Sequence, residues 1–224
     1  METRFIKVSF VLLVFAVMSF QVYAAETFGF MRITSNSPEN VAGQLFVTVS
    51  DAGNNEVSFL FTNNVGIASS ITDVYFDNRG GVLDESAYPV MTIASSAGVG
   101  VVFSVPATPG SLPSQNSVGF NTTQGLSADS DSPESSANGV DAAIEWLTLT
   151  LTLSSNYSYN DVINALNSTT HDLWVGLHVQ SIGSTGDSDG YVNLPNYVIP
   201  APGAVLLAGL GTTMVGLLRR RRQV

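Results

Sequence analysis

Between residues 147 and 153 leucine and threonine alternate without a break: Leu147, Leu149, Leu151 and Leu153, with Thr148, Thr150 and Thr152 between them. Successive residues of an extended chain point to opposite faces, so this segment is a strand with one apolar and one hydroxylated face. The same period of two recurs in Val57, Phe59 and Phe61, and again in Leu173, Val175, Leu177 and Val179. Residues 28–33, 45–49, 71–76 and 99–105 are further β-rich runs of strand length, and turn clusters at 51–55, 63–66 and 78–81 separate several of them. Short strands with turns between them, and no alternating helical pattern, predict an all-β fold: an antiparallel, jelly-roll-like β-sandwich. One short helix is expected at 159–166, capped by Asn160 or Ser158, with Val162, Ile163 and Leu166 as its apolar stripe. No repeat of fixed period is visible, which rules against a solenoid or propeller.

Residues 107–141 break the pattern. They are rich in Ser, Asn, Gly and Pro, carry Asp129, Asp131, Glu134 and Asp141, and contain no basic residue. A structureless segment of that length is unusual in a compact domain. It is either a mobile surface loop or holds an irregular strand near 117–122.

The two ends look like addressing. Six of the 8 basic residues lie there, leaving only Arg32 and Arg79 between. Residues 1–24 have the parts of a secretory signal peptide: Arg4 and Lys7, an apolar run over 8–18 broken only by Ser9, and small residues around a cut after Ala24 for signal peptidase. Residues 25–199 form the exported domain, long enough to bury a core without disulfides, and the chain has no cysteine. Its 17 acidic residues face two arginines and no lysine, a balance of −15 that excludes nucleic acid as a partner. The sequons at Asn121, Asn156 and Asn167 are read as chance in a Ser/Thr/Asn-rich chain of the bacterial envelope.

At the C-terminus Pro200, Ala201 and Pro202 precede 16 mostly small or apolar residues, 203–218, and then Arg219, Arg220, Arg221 and Arg222. A helix of that length reaches about 24 Å, slightly short of a bilayer core, and the arginines hold its end in the cytoplasm. The arrangement VIPAPGAVLLAGLGTTMVGLLRRRRQV resembles the PEP-CTERM sorting signal of Gram-negative bacteria, with Ala201 where Glu is usual. Segments 59–78, 111–121, 128–141 and 173–193 are similar to an ectodomain type attached to such tails. The resemblance implies recognition by an exosortase, an intermediate anchored in the inner membrane by the 203–218 helix, and delivery to the cell surface or the extracellular matrix of exopolysaccharide and biofilm. It implies no catalytic activity.

The residues themselves offer few sites for chemistry. His178 shares a strand face with Trp174, Gly176 and Gln180, and His171 stands beside Asp172, but no nucleophile-elbow motif supports a Ser-His-Asp triad. Glu145 next to Trp146 is the one acid beside a sugar-stacking type of aromatic, yet the pair opens the leucine strand, where Trp146 reads as packing. Asp129, Asp131 and Glu134, and separately Asp187 and Asp189, place oxygens at alternate positions as calcium loops do, without the remaining ligands of an EF-hand. The expected function is therefore that of an exported, non-enzymatic surface or matrix protein with no catalytic residues and no required cofactor. The alternative is a carbohydrate-binding module using Trp174 or Trp146, or a calcium-dependent adhesive one.

Overall fold

Wherever the sequence alternates with period two, the computed structural model, which describes residues 25–96, 100–130 and 136–199, has a strand. Among the described residues ten strands form: β1 (Glu26–Arg32), β2 (Leu45–Gly53), β3 (Glu56–Asn63), β4 (Ser70–Asp77), β5 (Met91–Ser95), β6 (Phe103–Ser104), β7 (Ser127–Ser130), β8 (Leu147–Thr152), β9 (Trp174–Ile182) and β10 (Asp187–Ile199). The leucines of β8 are buried and its threonines half-buried, as the alternation requires. All strands belong to one antiparallel sheet in the order β5-β8-β3-β2-β1-β10-β9-β4-β7-β6.

The sheet is strongly curled. Between β3 and β4 lie four other strands, a separation of about 24 Å in a flat sheet. Yet the rings of Phe59 on β3 and Phe76 on β4 meet edge-on with centroids 5.0 Å apart. One core results, in which Phe28, Val47, Phe61, Ile71, Leu149, Leu177 and Val179 are fully buried. The outermost strands nearly close the ring: Ser95 Oγ at the end of β5 donates to the carbonyl of Val101, just before β6, at 2.9 Å.

Helix α1 (Tyr159–Asn167) packs Val162, Ile163, Ala165 and Leu166 inward. Of the two caps that the sequence offered, Ser158 is the one used. It forms a capping box with Asp161, whose Oδ2 accepts the Ser158 amide at 2.8 Å. Among the described residues no helix is long and apolar enough to cross a membrane. The signal peptide with its cut after Ala24, and the tail containing Pro200 to Pro202, the 203–218 span and Arg219 to Arg222, lie outside the described residues.

Two expectations need correction. The 99–105 run yields only the two-residue β6 among its described positions. In 107–141 the strand is β7, not 117–122, which is held instead by a 3-10 turn at Gln115–Ser117. Its described part is anchored on apolar residues, with Leu112, Phe120, Leu126, Ala128 and Val140 all buried.

Candidate functional site

Residues 107–122 lie across the outer face of β4, β9 and β10 and give it a small core of its own: Tyr75, Ala107, Leu112, Phe120, Trp174 and Val192. The chain can approach so closely because Gly176 has no side chain. A Cβ there would stand 2.7 Å from Leu112 Cδ2. Trp174 is consequently 4% exposed, with Phe120 5.7 Å away between ring centroids and its Nε1 donating to the Asn193 carbonyl at 3.1 Å. It therefore presents no face to a sugar. His171, in the left-handed region at φ 57°, stacks on Trp174 at 3.7 Å. Burial, helped by the nearby positive charge of Arg79, holds its imidazole below the usual range.

Beside this small core runs a polar row of cross-strand partners, from Ser104 through Asp129, Asp73 and His178 to Gly190. Asp73 is completely buried. Its carboxylate accepts from Thr72 Oγ1 at 2.8 Å and from Tyr75 Oη at 3.1 Å, and its Oδ2 lies 2.9 Å from His178 Nδ1. The His178 side chain is 15% exposed. The pair has the geometry of an oriented base, but Asp73 also ties β4 to β9 through His178 and steadies Tyr75, which donates as well to the Pro109 carbonyl of the 107–122 cover at 3.1 Å.

The other sequence candidates separate in space. Asp189 is buried and accepts from Thr34 Oγ1 at 2.6 Å and the amides of Asn36 and Ser37 at 2.8 and 3.3 Å, with Arg32 at 3.4 Å. Its oxygens thus fasten the 33–39 loop. Asp129 accepts from Ser104 Oγ and the Thr108 amide at 3.1 and 2.8 Å. Asp187 opens β10 opposite Ile182. Asp131 and Glu134 lie outside the described residues, and among the described residues no group of acids and histidines is placed to hold a metal ion. Glu145 is buried and accepts the amides of Asp141 and Ala142 at 2.7 and 3.0 Å, so it shapes the turn into β8. Trp146 is half-buried in a shallow groove of about 330 Å³ with Leu60, Thr62, Ile144 and Thr148.

A larger groove, about 660 Å³, lies between the outer face of α1 and the 80–82 turn. Sequence reasoning took this helix only for its apolar stripe. The signal it passed over is on the other face, where Asp161, Asn164 and Asn167 follow one another at intervals of three. Tyr157 and Asp172 complete the walls.

Comparison of the chain with protein-family models, with curated proteins and with solved structures finds no significant match in any of the three.

Proposed function

We propose that the chain is an exported, non-enzymatic protein of the cell surface or extracellular matrix, sorted by an exosortase through its C-terminal tail. The observation that carries this reading is a pairing: Thr27 on β1 and Ile199 on β10 are antiparallel partners in one sheet. The two processing points inferred from the sequence therefore flank a unit whose first strand is joined to its last described one. The way β3 faces β4 across one core supports naming that unit a jelly-roll-like sandwich. A non-catalytic role is supported by the use made of the buried acids, since Asp73, Asp77, Asp189 and Glu145 each accept donors that fix neighbouring segments.

The test follows an epitope placed near Ala25 in the native host and changes Arg219, Arg220, Arg221 and Arg222 together to glutamine. The cost of forcing arginine into a bilayer, a few kcal/mol each, disappears in that variant, and the register of the span with it. Accumulation of the unprocessed form is expected. Unchanged mass and unchanged destination would overturn the sorting reading.

A further inference from the structure

Along the outer face of α1 the side chains of Asp161, Asn164 and Asn167 recur every three residues, about 4.5 Å apart along the axis. Asparagine is a poor helix former, because its amide competes with the backbone for hydrogen bonds. Asn164 is exposed and makes no side-chain hydrogen bond within the described structure, so nothing in the folding of α1 calls for an amide there. The facing wall is built with equal economy of bulk. Gly80 donates its amide to the Asp172 carbonyl at 2.7 Å, and a Cβ on it would stand 2.8 Å from Asp172 Cβ. Tyr157, 38% exposed, donates from its hydroxyl to the Gly80 carbonyl at 3.3 Å and so holds its ring at the rim.

Two carboxylates in this groove each receive their donors from the described residues on a single oxygen. Asp161 receives its donors on Oδ2, and Asp172 receives Thr170 Oγ1 on Oδ1 at 2.9 Å. Planar carboxylates and amides beside an exposed aromatic ring match the hydroxyls and apolar ring faces of a sugar chain. Charge narrows the choice. Among the described residues no lysine or arginine lines the groove; Arg32 is engaged with Asp189, and Arg79, whose charge reaches Asp172, is held by Asp77 and the Gly119 carbonyl. A domain with a balance of −15 repels uronate-rich polymers and attracts cationic ones.

We infer that this groove binds a polysaccharide bearing free amino groups, an inference that takes its extracellular setting from the function proposed above. It is tested on purified full-length chain in mild detergent, so its failure would leave the sorting experiment untouched. The chain is titrated by calorimetry with a glucosamine hexamer, with the fully N-acetylated hexamer, and with polygalacturonate. Binding of the glucosamine hexamer is expected, about ten-fold weaker for the acetylated one, and none for the polyuronate, because the charge-assisted bonds need the ammonium. Tyr157→Ala and Asp172→Asn are expected to weaken it about ten-fold, and Asn164→Ala about three-fold. Asn164→Ala sits on an exposed helix position, where alanine favours the fold, so its effect reads binding alone. Glu56→Gln, on the β2–β3 hairpin, is the control for diffuse attraction and is expected to leave binding unchanged. No binding of the glucosamine hexamer, equal binding of the acetylated one, or equal losses in Glu56→Gln and Asn164→Ala would overturn the inference.

Discussion

Asp73 and His178 are cross-strand partners whose Oδ2 and Nδ1 atoms lie 2.9 Å apart on the sheet face turned away from the main core. The carboxylate is the hub of this contact, because Thr72 and Tyr75 donate to it as well. Asp73→Ala strands several buried donors at once and is expected to lower stability by about 3 kcal/mol, whereas His178→Ala removes one partner and costs about 1 kcal/mol. Urea midpoints of the two variants measure the difference.

Phe120 is 1% exposed and packs beside Trp174, so it acts as a peg that holds residues 107–122 on the sheet. Phe120→Ala is expected to cost about 3 kcal/mol and to open this stretch to proteases. In the unaltered protein the same stretch should resist limited proteolysis, a result read directly from the fragment masses.

Gly139 and Gly43 should respond in opposite ways to the same change. A Cβ on Gly139 would fall inside the van der Waals radii of Ser70 Oγ and the Ile71 carbonyl oxygen, where the chain makes the bridge between Ile71 and Val140. Gly139→Ala is expected to lose about 3 kcal/mol, and Gly43→Ala, with nothing within 4 Å of its new methyl, to stay within about 0.5 kcal/mol of the parent. Thermal melts of both variants check this.

Asp141 introduces a pH dependence of unusual sign. Local desolvation of the carboxyl, on a residue that is otherwise exposed, and the neighbouring Glu145 carboxylate push it up to about 6. A folded-state value above the unfolded one gives stability that is full in acid, below the ordinary carboxylate range, and is lost as pH rises through about 6. Asp161 runs the other way: the Ser158 hydroxyl and amide hold it below the usual range, and its contribution is lost as pH falls. Asp141→Asn is therefore expected to raise the melting temperature at pH 8 and to change it little at pH 4. Melting curves at those two values test the sign.

What could be read from the sequence follows from how many faces of a strand are buried. β8, β3 and β2 have one covered face, and their alternation is plain in Leu147 to Thr152 and Val57 to Phe61. β4 is buried at all eight positions, Asp73 and Asp77 included, because residues 107–122 cover its second face. No period in the local sequence announces a cover supplied from elsewhere, and for the same reason Trp174 looked available from its strand alone. β10 was hidden differently: it opens with Asp187, Ser188, Asp189 and Gly190, and Pro195 lies within it. The strand tolerates the proline at an irregularity in its pairing with β1, while Asn193 Oδ1 accepts the Val175 amide at 2.8 Å where the ladder to β9 ends. The helix and its Ser158 cap were legible because a capping box is local. The groove beside α1 was not, since its far wall comes from residues about 80 positions earlier in the chain.

The pairing of Thr27 with Ile199 also has a mechanical meaning. Any pull on the chain beyond Ile199 enters the sheet along β10, a 13-residue strand paired with β1 at its exit and with β9 over residues 187–192. Ladder hydrogen bonds lie across the strand direction, so a load applied along β10 shears many of them together instead of peeling them one after another, as it would at an outer strand such as β5. The strand that leads out of the domain is thus held by β1 where the load enters and by β9 further along, so its extraction must break both ladders in turn.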